Sequence, residues 1–94
     1  MLRIHTEKED AGITLRLEGK LVDPWGDELV KAYRALTRHR LEGREIAIDL
    51  DAVSFVDTRG RSILAALRRL GCTLRGSGPF IQAVIEEIPA GTLS

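Results

Sequence analysis

One segment of the chain, Ile46 to Leu70, limits the fold more than any other part of the sequence. Its first half begins with the apolar run IAIDL, which is typical of a central strand buried on both faces. Its second half carries apolar residues three and four positions apart, the spacing of a helix with one buried face. That stripe consists of Ile63, Leu64, Leu67 and Leu70. A buried strand followed by such a helix predicts an α/β fold in which helices cover a sheet.

Two strands and a helix are predicted before this segment. Apolar and polar residues alternate over Leu2 to Thr6 and over Ile13 to Glu18, the pattern of half-buried strands. The acidic turn EKEDAG between them favours an antiparallel hairpin. Asp23-Pro24 then predicts a helix start, with an N-cap acceptor followed by proline at the first helical position. The apolar stripe of this helix consists of Trp25, Leu29, Ala32, Tyr33 and Leu36.

A short strand and a last helix are predicted after Leu70. The strand is Cys72 to Arg75, with Cys72 as a core residue, and Pro79 begins the helix. The buried face of that helix consists of Phe80, Ile81, Val84, Ile85 and Ile88. The elements together predict a mixed α/β (α+β) fold, a small sheet of about four strands with three main helices packed against it. We expect a single domain over residues 1–94, since this length supports about one domain.

Composition excludes several classes of partner. Fourteen basic and fourteen acidic residues leave no net charge, so bulk charge gives no reason to expect binding to nucleic acid. No apolar run approaches the roughly 20 residues that span a bilayer, and no signal peptide is visible, so no membrane insertion is expected. The single cysteine, Cys72, cannot form an internal disulfide, which fits a reducing compartment. We therefore expect a cytoplasmic protein.

An acid–hydroxyl pair, Asp57-Thr58, stands where the second helix is expected to begin. A hydroxyl there lies near amide donors and the positive end of the helix dipole, both of which favour negative charge. A phosphate on Thr58 would add about −1.5 to −2 charges. The alternative is that Thr58 only caps the helix, since threonine is an ordinary N-cap residue.

The segment IAIDLDAVSFVDTRGRSIL resembles the signature of STAS domains, the family of bacterial anti-sigma factor antagonists and of sulfate-transporter tails. In that signature an apolar strand ends in Asp-Leu, and Asp-Ser-Ser-Gly then begins a helix. Asp49-Leu50 and the four residues from Asp57 to Gly60 occupy those places. The segments LRLEGKLV and CTLRGSGPFIQAVIEEI are similar to the family's second strand and to its late strand, turn and helix. The resemblance extends over Ile13 to Ile88 and implies a STAS fold.

The resemblance also implies a function. It implies a non-catalytic protein-interaction module of transcription regulation that acts by partner switching and needs no cofactor. The family's reversible phosphorylation site corresponds to Thr58, and the implied partner is a kinase that doubles as an anti-sigma factor. The implied interaction surface consists of Asp57, Thr58, Arg59, Gly60, Arg61 and Ser62.

The chain departs from the family pattern at three places. Arg59 takes the second hydroxyl position, where it could pair with a phosphate or obstruct a kinase. The family's Gly-Glu-Leu-Asp reads GKLV here, so the supporting acid is shifted to Asp23 or is absent. The connection from Leu70 to Cys72 is shorter than in typical antagonists. The chain also resembles the STAS subunit of lipid-transporting ABC systems, in which the same helix start docks on an ATPase subunit without phosphorylation.

Other patterns give weaker hypotheses. Three acids could be mistaken for the magnesium cluster of a receiver domain: Asp49, Asp51 and Asp57. A receiver also needs a late lysine, and none follows Lys31. The turn RGSGPF resembles a phosphate-binding loop but lacks the Walker lysine. His5 and His39 have no metal-ligand spacing, so no metal site is expected, and no Ser-His-Asp order or Cys-His pair suggests catalysis.

Ten of the fourteen basic residues lie in two segments that contain one acid, Glu42. They are Lys31, Arg34, Arg38, Arg40 and Arg44 in the first segment, and Arg59, Arg61, Arg68, Arg69 and Arg75 in the second. Such a surface could meet an acidic protein or an anionic membrane. The alternative is a solvated face whose cations pair with neighbouring acids.

Overall fold

The computed structural model describes residues 1–9, 12–38 and 45–88. Its strands and helices follow one another in the predicted order. They are β1 (Leu2–Lys8), β2 (Gly12–Leu21), α1 (Gly26–Arg38), β3 (Glu45–Val56), α2 (Thr58–Arg69), β4 (Thr73–Arg75) and α3 (Pro79–Glu87). The predicted mixed α/β architecture is confirmed, although Asp10 and Ala11 of the first predicted turn lie outside the described residues.

The strands form one four-stranded sheet in the order β1-β2-β3-β4. β1 and β2 are antiparallel, as the predicted hairpin requires, while β3 runs parallel to both β2 and β4. Leu15 of β2 lies beside Ile48 of β3, which in turn lies beside Leu74 of β4. Because β2, β3 and β4 are parallel, their carboxyl ends share one edge of the sheet, and a helix begins after each of them.

The core lies between the helices and one face of the sheet. Its largest fully buried side chains are Ile13, Leu15, Leu17, Leu21, Leu29, Ile48, Leu50, Leu64 and Val84. Alternate positions of β1 and β2 carry charges, and they pair across the other face: His5 with Glu18 at 3.5 Å and Arg16 with Glu7 at 3.3 Å. The sheet therefore has one apolar and one polar face, the pattern of a two-layer domain.

Cys72 is buried in this core, as expected. Burial raises the pKa of its thiol to about 11, because a thiolate is poorly solvated in apolar surroundings. None of the described helices is both long and apolar enough to cross a bilayer.

The first helix begins later than the sequence predicts. Residues 23–25 form a turn in which the Trp25 N–H donates to the Val22 carbonyl at 2.7 Å, and α1 begins at Gly26. The prediction of Asp23 as N-cap and Pro24 as first helical residue was therefore wrong. Long-range contacts hold Asp23 instead: its carboxylate lies 3.5 Å from Arg59 Nε, and its N–H donates to the Asp57 carboxylate. Trp25 consequently lies outside the buried stripe and is 36% exposed.

The central strand is longer than the predicted apolar run. β3 continues to Val56, and its last residues pair with the end of β2, where Lys20 lies beside Phe55. Two shifts of register along this pairing break the regular alternation that marks a strand in the sequence. On the polar face of β3, Ala47 is buried but Asp51 is exposed, so burial on both faces is limited to the start of the strand.

Two residues predicted to be buried lie at the surface. Phe80 is 41% exposed, whereas Ile81 and Val84 of the same helix are in the core. Leu70 follows the last residue of α2 and is 64% exposed. Both residues stand at helix ends, where fewer elements pack around a side chain.

Candidate functional site

Asp57 caps α2 and joins it to the end of β2. Its Oδ1 accepts a hydrogen bond from the Gly60 N–H at 2.7 Å, and its Oδ2 accepts one from the Asp23 N–H at 2.9 Å. Its own N–H donates to the Leu21 carbonyl at 3.1 Å. One side chain thus satisfies an amide of the first helical turn and an amide of a remote loop.

Thr58 is the first residue of α2, not its cap. Because Asp57 supplies the capping oxygen, the Thr58 hydroxyl is not needed for this bond, and the residue is exposed. The alternative in which Thr58 serves only as the N-cap was therefore wrong. The hydroxyl stands at the surface beside an ionised carboxylate.

The pKa of Asp57 lies below its ordinary value. Hydrogen bonds from the amides of Asp23 and Gly60 are the main cause, and the positive charge of Arg59 adds to them. Asp57 is therefore ionised at neutral pH, and its charge complements the positive end of the α2 dipole.

Arg59 ties the start of α2 to the start of α1. Its Nη2 lies 2.9 Å from Asp27 Oδ1, and its Nε lies 3.5 Å from Asp23 Oδ1. These acids, Asp27 above all, raise the pKa of Arg59. All three side chains are more than half exposed, so water screens these ion pairs and they contribute little to stability. Asp23 thus lies at the site, with its carboxylate directed to Arg59.

Gly60 lets α2 begin directly against the end of β2. A Cβ at this position would lie 2.5 Å from the Leu21 carbonyl oxygen and 2.9 Å from Val56 Cγ1. No side chain fits between these atoms without a shift of the backbone. The Asp-x-x-Gly spacing therefore combines an N-cap with a close contact between helix and strand.

The remaining predicted surface residues point in different directions. Arg61 is partly buried and pairs with Glu87 of α3. Ser62 is exposed, and its Oγ donates to the Thr58 carbonyl at 3.2 Å. Of the six predicted residues, the surface therefore presents mainly Thr58, Arg59 and Ser62.

Sequence reasoning missed two exposed aromatic residues at the same edge of the sheet. Trp25 follows β2 and Phe55 lies near the end of β3, with exposed fractions of 36% and 49%. The apolar stripe predicted for the first helix included Trp25, and no role was predicted for Phe55. Only the positions of the strand ends reveal that they accompany Thr58 at this edge.

One acid of the predicted cluster, Asp51, is hydrogen-bonded to the glycine-rich turn. Asp51 Oδ1 accepts hydrogen bonds from the Ser77 N–H at 2.7 Å and from the Ser77 hydroxyl at 3.1 Å. The amide that a phosphate would need in the turn RGSGPF is thus already bound. Among residues 1–9, 12–38 and 45–88, no three His, Cys, Asp or Glu side chains are placed to hold a metal ion.

Several cations of the two basic segments have partners. Lys31 pairs with Glu28, and Arg68 donates to the carbonyls of Ile85 and Ile88 at 3.4 and 3.3 Å. With the ion pairs of Arg59 and Arg61, these contacts support the solvated, paired alternative for that part of the surface. His39, Arg40, Glu42 and Arg44 lie outside the described residues.

Comparison with known proteins gives the fold of the chain. The sequence matches no family model and no curated protein. The structure is similar to that of an anti-sigma factor antagonist from Mycobacterium paratuberculosis, with a TM-score of 0.74 and 22% identity over 99% of this chain and 88% of that chain. It is also similar to an uncharacterized DUF3478-family protein with a SpoIIAA-like fold from Shewanella loihica PV-4, with a TM-score of 0.60 and 11% identity over 95% and 80% of the two chains.

A third similar structure is that of a protein named Mglu. The TM-score is 0.61 and the identity 24%, over 80% of this chain and 19% of that chain. The chain therefore has a STAS-like, SpoIIAA-like fold, as the sequence resemblance implied. Within that fold, the capped start of α2 with its exposed threonine is the candidate site.

Proposed function

We propose that the chain is a non-catalytic protein-interaction module similar to an anti-sigma factor antagonist. In this proposal a single cytoplasmic domain docks a kinase or anti-sigma factor through the start of α2, and phosphorylation of Thr58 controls the exchange of partners in transcription regulation. The observation that carries the proposal is the cap. Because Asp57 performs the capping, the Thr58 hydroxyl is exposed and available for modification.

A phosphate on Thr58 would change the contact surface without dismantling the helix start. The Gly60 amide is already bound to Asp57, so the phosphate would extend into the interface. It would add about −1.5 to −2 charges beside the Asp57 carboxylate. Arg59 would offset only part of this charge, since its guanidinium also faces Asp27. A partner that fits the unmodified helix start would therefore be repelled.

The first test is the modification itself. Mass spectrometry of the protein isolated from its own cells is expected to find phosphate on Thr58 and none on Ser62, the exposed hydroxyl one turn later. Phosphate found only elsewhere, or none in any growth condition, would contradict the switch.

The second test measures docking. Thr58→Glu is expected to weaken binding to the partner isolated with the wild-type chain by about tenfold or more, which corresponds to about 1.4 kcal/mol. Thr58→Ala should keep the affinity. Thr6→Glu is the matched control, because Thr6 is an exposed threonine on β1. Equal binding by all variants would contradict docking at this site.

A second candidate function is a constitutive subunit of an ABC-type lipid transporter that contacts an ATPase subunit. One observation favours it: the Asp57 cap and the Arg59 ion pairs complete the surface without a phosphate. In this case the chain would copurify with an ATPase and carry no phosphate. Thr58→Ala would then weaken the complex, which is the opposite of the result expected for the switch.

A further inference from the structure

A groove between α1 and α2 is not part of the site described so far. It has a volume of about 220 Å³, and among the described residues Arg34 is the only charged one that lines it. It is lined by Val30, Tyr33, Arg34, Ile63, Ala66, Leu67 and Leu70. Leu70, one of the lining residues, is 64% exposed. We refer to these seven residues as the α1–α2 groove.

The groove continues to the start of α2. A neighbouring depression lined by Asp27, Val30, Lys31, Arg34 and Arg59 shares Val30 and Arg34 with it. On α2, the residues that line the two depressions are three or four positions apart, so they follow one face of the helix. The two depressions therefore adjoin each other along the two helices, and their lining residues on α2 range from Arg59, beside Thr58, to Leu70.

Charge is distributed unevenly along these two depressions. Near the start of α2, Arg59 pairs with Asp27, and Lys31 pairs with Glu28. After Glu28, neither α1 nor α2 contains an acid. Arg34 and Arg38 are one turn apart on α1, and Arg69 adjoins Leu70. None of these three arginines forms an ion pair with another described residue. Among the described residues, positive charge therefore predominates on the parts of α1 and α2 nearest the groove.

We propose that the α1–α2 groove binds an acidic amphipathic helix of a partner protein. The apolar side of such a helix would cover Tyr33 and Leu70, and its carboxylates would face Arg34, Arg38 and Arg69. α1 has 13 residues and is therefore about 20 Å long, enough to support several turns of a bound helix. Apolar anchors at i, i+3, i+4 and i+7 are the usual mode of recognition in such a groove, and the arginines select acidic partners.

A second copy of the chain does not offer this ligand within the described residues. α3 ends in Glu86 and Glu87, but its apolar residues Ile81 and Val84 are buried in its own core. We therefore take the occupant to be a protein other than a second copy of this chain. The inference rests on the proposed function in taking the chain to be a docking module, but it uses a surface other than Thr58.

The test uses a synthetic peptide. The probe is a fluorescent amphipathic helix of about 14 residues with leucines on one face and glutamates on the other, and its twin carries lysines in place of the glutamates. Fluorescence anisotropy with the full chain is expected to show at least about tenfold tighter binding of the acidic peptide. Amide chemical shifts of isotope-labelled protein should change along the α1–α2 groove.

Variants locate the contact. Leu70→Glu and Arg34→Glu are each expected to weaken the acidic peptide by about fivefold or more, since each places a like charge against the carboxylates. Arg75→Glu is the matched control for Arg34→Glu, because it makes the same charge reversal at an exposed position of β4. Circular dichroism of each variant checks that it is folded. Because Leu70 is exposed, we expect Leu70→Glu to fold as the wild type does.

Several results would overturn the inference: equal binding of both peptides, no binding at millimolar concentration, or shift changes outside the groove. A dimer in sedimentation that Leu70→Glu dissociates would also overturn it, because a second copy would then cover the groove. Thr58→Glu separates the two proposals. If this variant loses the native partner but the peptide does not bind the wild-type chain, only the groove is refuted. If the peptide binds but the chain is never phosphorylated on Thr58, only the switch is refuted.

Discussion

Two residues determine how α2 meets the sheet. The Asp57 carboxylate binds one amide of its own helix and one amide of the Asp23 loop. Gly60 leaves room for the Leu21 carbonyl to approach the helix. Asp57 acts through its two carboxylate oxygens and Gly60 through its lack of a Cβ, so the effect of replacing each residue can be predicted.

Replacement of Gly60 by alanine is expected to destabilise the chain by about 1–3 kcal/mol, the usual cost of forcing a methyl group into a packed site. The new Cβ would lie 2.5 Å from the Leu21 carbonyl oxygen, so α2 or the end of β2 must move. Urea unfolding followed by circular dichroism measures the change. Gly78→Ala is the control, because a Cβ at Gly78 meets no atom within 4 Å. Equal destabilisation by both substitutions would show that the close contact at Gly60 is unimportant.

The cap makes stability depend on pH in a defined direction. Because the pKa of Asp57 is lowered in the folded chain, its carboxylate stabilises the fold above the unfolded-state pKa of about 3.9. That contribution is lost as the pH falls through the lower folded-state value. We therefore expect the stability difference between wild type and Asp57→Ala to be constant near pH 7 and to shrink below about pH 5.

Urea titrations at several pH values check this expectation. Thr58→Ala is the control, because the neighbouring hydroxyl carries no charge and its effect should not change with pH. A stability difference for Asp57→Ala that persists unchanged in acid would contradict the assignment of Asp57 as an ionised cap.

The identity of the cap could not be predicted from the sequence. The spacing of Asp57 and Gly60 predicted a helix start correctly, but aspartate and threonine are both good N-cap residues. The structure shows the Gly60 amide bound by Asp57, whose other carboxylate oxygen binds the Asp23 amide, 34 positions away in the chain. Local patterns contain no information about a partner that distant, and for the same reason the sequence misplaced the start of α1.

At the scale of elements, α2 offers a direct comparison of two leucines near its end. Leu67→Ala is expected to cost about 2–5 kcal/mol, because it removes a buried side chain from the core. Leu70→Ala should cost less than about 1 kcal/mol, since Leu70 is 64% exposed. Urea unfolding of the two variants gives both values. Similar losses of stability would contradict the assignment of Leu67 to the core and of Leu70 to the surface.

The elements with regular periodicity could be predicted, and the irregular ones could not. The hairpin and α2 follow clear periods of two and of three to four residues. The end of β3 does not, because the register shifts beside β2 let Phe55 and Val56 continue the strand after an irregular step. The stripe of α2 predicted an apolar side but not its limit, so Leu70 was assigned to the core instead of to the groove.

At the scale of the whole molecule, every described strand and helix contributes to one core cluster. A chain of this size with a single core is expected to unfold in one cooperative step. Trp25 is the only tryptophan and lies in the loop beside the candidate site. We therefore expect Trp25 fluorescence and far-UV circular dichroism to give coincident urea transitions. An earlier fluorescence transition would mean that the site loop opens separately from the core.

The core contains one more consequence, which concerns Cys72. Thiol reagents react with the thiolate, and both burial and the pKa of about 11 make that form scarce and inaccessible in the folded chain. Labelling of the native protein therefore proceeds through molecules whose core is transiently open, and its rate relative to the unfolded chain gives the fraction of time spent open. A ligand that binds only the closed form slows the label in proportion to its occupancy. The labelling rate of the single cysteine therefore reports both the opening of the core and the binding of a ligand to the closed form.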